Sequence, residues 1–289
     1  MNMKRKLICM GLTLVMVFAL FAGCGSKEEA PSEKAEGKEE TREDADGAEE
    51  VIKIGCMSSS EPIVQIIADG MKEKGYTVEA VLFDQNNMPC MALKDGEIDG
   101  VILNHKPWLE TFCKENNCEL TMAEPYIYYS PFRLYSEKYD DVKDFPDKAT
   151  VAAPSDAANM ERSLLVLKEV GLITLGDKTE TFYSIVDIEE NPKDIQFIEA
   201  EITTAARSIH DADAVISPAV YIFQDGSVDV EDYLYDDPAS EEKYPLGLIV
   251  ESGSEGEEWV KEAISCVFSE EGKKAFDAEY QGTYILIEE

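Results

Sequence analysis

From Val51 onward, short runs rich in β-branched residues alternate with amphipathic stretches. That alternation predicts an α/β fold with largely parallel sheets. "VIKIGCM" (51–57), "TVEAVLF" (77–83) and "VILN" (101–104) read as strands. Between the first two, "PIVQIIADGMKEKG" (62–75) puts Ile63, Val64, Ile66, Ile67 and Met71 on one helical face, with Pro62 in its first turn and Gly75 at its end. A turn-rich stretch containing "NNMP" and "KDGEIDG" precedes the third strand, and a helix from about Pro107 to Glu115 follows it. These strands and crossovers make one layered unit.

A longer extended segment, "LTMAEPYIYYSPFRLYS" (120–136), leads away to a second series. "TVAAP" (150–154), a helix after Asp156, "IQFIEA" (195–200), a helix around "TTAARSIH" and "AVISPA" (214–219) repeat the strand–helix rhythm. "LGLIVES" (246–252) adds a strand, and one long helix is predicted from about Glu255 to Tyr280, apolar at Trp259, Ala263, Ile264, Val267 and Phe268. The final "TYILI" suits an edge strand. Two such series with a strand and helix left over predict two lobes, 51–135 plus 244–289 and 136–243. A chain that crosses twice between lobes is able to hinge, and ligands favour the cleft between domains.

The first 50 residues follow neither rhythm. "MNMKRK" is basic, and "LICMGLTLVMVFALFA" is an apolar run of 16 ending before Gly23 and Cys24. As helix that run spans about 24 Å, short of the roughly 30 Å hydrocarbon core, so residues 1–24 read as a secretion signal rather than a membrane anchor. Residues 25–50 hold eleven acids, four bases and no large apolar side chain, the composition of a disordered acidic tether. Behaving as a flexible coil, it would reach roughly 25–30 Å.

The body from Val51 to Glu289 carries 49 acidic against 19 basic side chains. Such a surface repels nucleic acid and anionic headgroups, so neither is an expected partner, and an anionic ligand needs a local exception. Five body cysteines, Cys56, Cys90, Cys113, Cys118 and Cys266, are an odd number, which excludes a complete disulfide framework; Cys113 and Cys118 are spaced to pair or to stay free. Two histidines, His105 and His210, are too few for a transition-metal carrier, and no metal or cofactor is expected.

The local exception is "PSDAANMERSLLVL" (154–167). Asp156 or Ser155 can cap the helix, placing Asn159 near the end of its first turn and Arg162 on the same face. Free N–H groups and the positive helix end suit an anion, and the guanidinium fork matches a carboxylate. The competing reading is an ordinary surface arginine paired with Asp156 or Glu161. "LNHKPWLE" (103–110) repeats the strand-to-helix geometry: Asn104 or His105 can cap, and His105 and Trp108 share the mouth or, alternatively, merely pack. "PYIYYSPF" (125–132) offers Tyr126, Tyr128, Tyr129 and Phe132, of which alternation turns half toward a core.

"NHKPWLE", "PSDAANMERSLLVLKEVGLITL", "ENPKDIQFIEAE" and "ARSIHDADAVI" stand in the order and spacing of the NlpA/MetQ family of substrate-binding lipoproteins, which the body resembles from about Ile52 to Ile285. The resemblance implies a type II periplasmic-binding-protein fold whose two α/β lobes close over a small ligand, typically methionine, for the permease and ATPase of an ABC importer. It implies lipidation of Cys24, preceded here by Phe21, Ala22 and Gly23 where the family usually starts with Leu, and hence a lipid-anchored extracytoplasmic location. Asn159 and Arg162 match the family's Asn-x-x-Arg that holds the amino-acid backbone, and His105 its pocket histidine. Asn86 stands where Tyr is usual, Leu103 for Phe, Trp108 for Tyr and Ser217 for Asn, so the side-chain cradle is altered while the backbone-binding groups mostly remain. The expected activity is binding without chemistry, of methionine, a related zwitterion or a dipeptide, with Tyr128 as a further contact. An enzyme on the same scaffold would need a nucleophile beside His105, for which Cys90 is the nearest candidate.

Overall fold

The computed structural model describes residues 51–226 and 228–288, so the expected signal, Cys24 and the acidic tether lie outside it. In chain order the elements are β1 (Val51–Cys56), α1 (Glu61–Lys72), β2 (Thr77–Leu82), α2 (Met88–Lys94), β3 (Gly100–His105), α3 (Lys106–Asn116), β4 (Leu120–Met122), β5 (Tyr128–Tyr129) and β6 (Phe132–Tyr135). There follow β7 (Thr150–Pro154), α4 (Ala157–Glu169), β8 (Thr174–Leu175), β9 (Ile188–Glu190), β10 (Gln196–Ala200), α5 (Ile202–Arg207), β11 (Ala214–Pro218) and α6 (Ala219–Asp225). The chain closes with β12 (Tyr233–Asp236), α7 (Ser240–Lys243), β13 (Leu246–Glu251), α8 (Glu258–Phe268), α9 (Glu270–Tyr280) and β14 (Ile285–Leu286).

Two larger sheets organise these elements: β14-β5-β13-β3-β1-β2, with β4 also on β13, and β10-β7-β11-β6-β12. Each has the expected parallel centre, β2-β1-β3 in one and β10-β7-β11 in the other. Each also carries an antiparallel strand that has just arrived from the other sheet: β6 against β11, and β13 against β3. A strand entering from outside needs no helical crossover to reverse direction, which is why the sheets are mixed. Because β6 pairs in the second sheet, the chain changes sheets around Ser130 and Pro131, one strand earlier than a boundary after residue 135.

The patterned helices pack as their periodicity requires. Ile63, Val64, Ile67 and Met71 of α1 are fully buried, each contributing about 1.5–3 kcal/mol of apolar burial. Two expectations need correction. "MPCMALK" is helix α2, its proline lying in the first turn, where a missing N–H costs nothing. The single C-terminal helix is two, broken at Ser269, whose extended backbone and Oγ cap α9 by accepting the Gly272 N–H at 2.9 Å. At this corner Gly272 is buried against the carbonyl oxygens of Cys266 and Val267, with which any β-carbon would collide. The turn carries Phe276 and Tyr280 of α9 into a ring cluster with Tyr128 and Tyr284.

Candidate functional site

Two strand-to-helix junctions, β3–α3 and β7–α4, meet across the two sheets. Asp156 caps α4, its carboxylate accepting the Asn159 backbone N–H at 3.0 Å and the Asn159 side-chain amide at 3.0 and 3.2 Å. Those bonds identify the amide's nitrogen end, so Asn159 Oδ1 faces the other way, 3.0 Å from His105 Nε2. His105 in turn caps α3, Nδ1 accepting the Trp108 N–H at 3.2 Å. A ring whose Nδ1 accepts carries its proton on Nε2, so the neutral Nε2–H tautomer donates to Asn159. Burial, reinforced by Arg162, pushes the His105 pKa down to about 3 against the pull of its Asn159 bond. Burial likewise raises Asp156, opposed by the Asn159 donors.

Arg162, one turn along α4, is 3% exposed. Its Nε donates to Asp237 at 2.8 Å and its Nη2 to the Ser240 hydroxyl, while its guanidinium lies between the rings of Phe132 (4.2 Å) and Tyr244 (4.0 Å). Tyr244 also meets His105 edge-on, ring centres 5.3 Å apart. Burial pulls the Arg162 pKa below its ordinary value despite Asp237, yet an arginine starting above 12 stays charged. Among the described residues nothing hydrogen-bonds to Nη1, and Arg162 lines a cavity of about 40 Å³.

Of the eight residues expected at the site, six line this cavity: Asn86, Leu103, His105, Trp108, Asn159 and Arg162. Asn86 Oδ1 accepts from Asn104 Nδ2 at 2.9 Å, forming an amide pair on the wall. Tyr128 and Ser217 are not brought to it. Pairing on β5 turns Tyr128 into the core, fully buried with its ring 4.7 Å from that of Tyr284, and its hydroxyl has no hydrogen-bond partner. Tyr284 reaches the cavity instead. Ser217 is sealed within β11, its hydroxyl donating to the Pro218 carbonyl at 3.1 Å, and Pro218 supplies the lining.

Other contributors escaped the sequence reading. Tyr221 lines the cavity, as does Asn104, read from sequence only as a possible cap, and Asp237, Ser240 and Tyr244 hold Arg162 from more than 70 residues away. "DDPAS" carries only a turn signal, so nothing local announces that pairing. A wider groove of about 730 Å³ lies between α3 and residues 180–186, but its lining includes no buried charge. The small cavity is therefore the stronger site. Among the described residues no cluster of three or more His, Cys, Asp or Glu could hold a metal ion.

The sequence profile described as NlpA lipoprotein matches residues 52–287. The methionine-binding lipoprotein MetQ of Bacillus subtilis is 28% identical over 287 residues, covering 98% of this chain and 100% of that one. The D-methionine-binding lipoprotein MetQ of Escherichia coli is 30% identical over 266 residues, 90% of each chain. A nutrient binding protein from Burkholderia cenocepacia, solved bound to methionine, superposes with a TM-score of 0.76 at 26% identity, covering 81% of this chain and 99% of that one. The two mixed sheets are accordingly the lobes of a periplasmic-binding-type fold, and, with the profile running from β1 to the last strand, this chain belongs to the NlpA lipoprotein family.

Proposed function

We propose that the chain is the extracytoplasmic substrate-binding lipoprotein of an ABC importer, anchored through lipidated Cys24, and that it takes methionine or a closely related zwitterion between its lobes for delivery to a permease. The observation that carries this reading is Arg162: a buried guanidinium on the cavity wall, with one edge fastened by Asp237 and Ser240 and the other left without a hydrogen bond among the described residues. That free edge is a bidentate receptor for a ligand carboxylate. The relatives named for methionine supply the ligand class.

In this mechanism the ligand's carboxylate docks on the Nη edge of Arg162, while Leu103, Trp108, Ile202 and Tyr284 enclose its side chain. A cavity of about 40 Å³ holds only a few waters, so the lobes part to admit an amino acid. The hydrogen bond from His105 on the first lobe to Asn159 on the second, like that from Lys114 to Thr181, is a contact that opening breaks and closure restores. Ligand stabilises the closed form to the extent that it touches both lobes. Both His105 nitrogens are engaged, and the Cys90 thiol faces Asn104 Oδ1 at 3.5 Å, which favours binding over nucleophilic chemistry.

A thermal-shift screen of the twenty amino acids, short peptides and common osmolytes, followed by calorimetry of the hits, tests the assignment. Methionine or a near analogue should raise the midpoint and bind at micromolar or tighter affinity, about −8 kcal/mol or better. Stabilisation by none of the amino acids would sink the reading.

A further inference from the structure

We infer that Cys113 and Cys118 are a disulfide site that clamps the C-terminal end of α3. Among the five described cysteines these two alone are partly exposed; Cys56, Cys90 and Cys266 are buried. Helix α3 ends with Asn117 in the left-handed conformation (φ 48°) and with the Cys118 N–H donating to the Cys113 carbonyl at 3.1 Å. That six-to-one bond defines a Schellman termination, in which the side chains of its first and last residues meet, ordinarily as an apolar pair. Here both are cysteines, free in the structure and packed against the same apolar cluster, with the Cys113 thiol donating to the Leu120 carbonyl at 3.7 Å. A disulfide spans α-carbons about 4.4–6.8 Å apart, a separation that a six-to-one backbone bond is short enough to allow.

The third thiol of this cluster does not compete. Cys90 is fully buried, is hydrogen-bonded to Asn104, and burial pushes its thiol far above the ordinary range. Burial raises the Cys118 thiol to about 11, so its attack on an oxidant quickens as pH rises. The oxidant is a small-molecule disulfide such as oxidised glutathione: a cysteine thiolate attacks it and releases one glutathione thiol. The second cysteine then displaces the other glutathione, leaving one new S–S bond, two reduced glutathiones and no net change in protons. The occasion for this chemistry rests on the extracytoplasmic location in the proposed function, where disulfides persist. The clamp would fix the far end of the helix whose first turn presents His105 and Trp108.

The full chain is equilibrated with oxidised glutathione, quenched with N-ethylmaleimide and digested with trypsin, which cuts at Lys114 between the two cysteines. The expected result is an intact mass short of the reduced, alkylated control by two maleimide adducts and two hydrogens, peptides bearing Cys113 and Cys118 joined to each other, and a thermal midpoint that rises on oxidation. Cys113→Ser should lose both the joined peptide and the rise. Thiols that remain alkylatable at equilibrium, stable glutathione adducts on both cysteines, or a bond to Cys90 would each overturn the inference. Methionine titration of Cys113→Ser, expected within twofold of the parent, separates failure of the clamp from failure of the binding assignment.

Discussion

Two arginines are buried in the second lobe, and their surroundings differ in one respect. Arg133 on β6, 6% exposed, donates to Asp236 and Glu231 at 3.0 Å and to the Val230 carbonyl at 2.7 Å, and stacks on Tyr233. Burial opposes its charge, but the two carboxylates more than offset this and carry its pKa above the ordinary arginine value. Arg162 has one carboxylate and one hydroxyl, and there burial wins. A buried cation with surplus anionic partners is structural; one left short of a partner beside a cavity has capacity for a ligand's negative charge. Burying an ion is costly, and closing that shortfall is a reason for the site to prefer a carboxylate.

The sharpest way to break this contrast is to remove each cation in turn. Arg162→Ala should weaken methionine binding by at least about 100-fold, a loss of roughly 3 kcal/mol, measured by calorimetry on folded protein. Arg133→Ala should instead cost about 3 kcal/mol of stability in urea titrations while leaving affinity within a few-fold. Loss of binding in a folded Arg133→Ala protein would erase the distinction. The adjacent acids offer a smaller test: Asp237→Asn should unseat the Arg162 fork and weaken binding roughly tenfold, about 1.4 kcal/mol, whereas Asp236→Asn should leave affinity unchanged.

The protonation of His105 sharpens the comparison at the level of stability. Its pKa is about 3 when folded and near 6.5 when unfolded, so between those values the unfolded chain binds the extra proton. Stability from this group is therefore complete above about pH 6.5 and declines as pH falls toward 3. From pH 7 to pH 5 the parent should lose about 2 kcal/mol more than His105→Asn in urea titrations. Equal losses would mean that the ring is not held neutral by its burial between Arg162, Tyr244 and Asn159.

What the sequence made legible was local. The buried stripe of α1, the Asp156 cap and the Asn159–Arg162 spacing depend on neighbours within two turns, and each is present. The strand-to-helix positions of His105 and Trp108 were equally readable. Pairings across the chain were not: Asp237 and Ser240 reach Arg162 over 75 and 78 residues. Nor did alternation say which residues of 125–132 face inward: Tyr128 lies in the core, and Tyr284, outside that stretch, lines the cavity. The break at Ser269 was hidden because apolar spacing continues through it, although a serine followed by two glutamates is itself a helix-start signal.

Tyr284 owes its place in that wall to a missing methyl group. Were Gly272 an alanine, α9 would have to back away from the end of α8, and the packed rings of Phe276, Tyr280 and Tyr128 would shift with it. The shape of that cavity is thus set in part by a corner that does not line it.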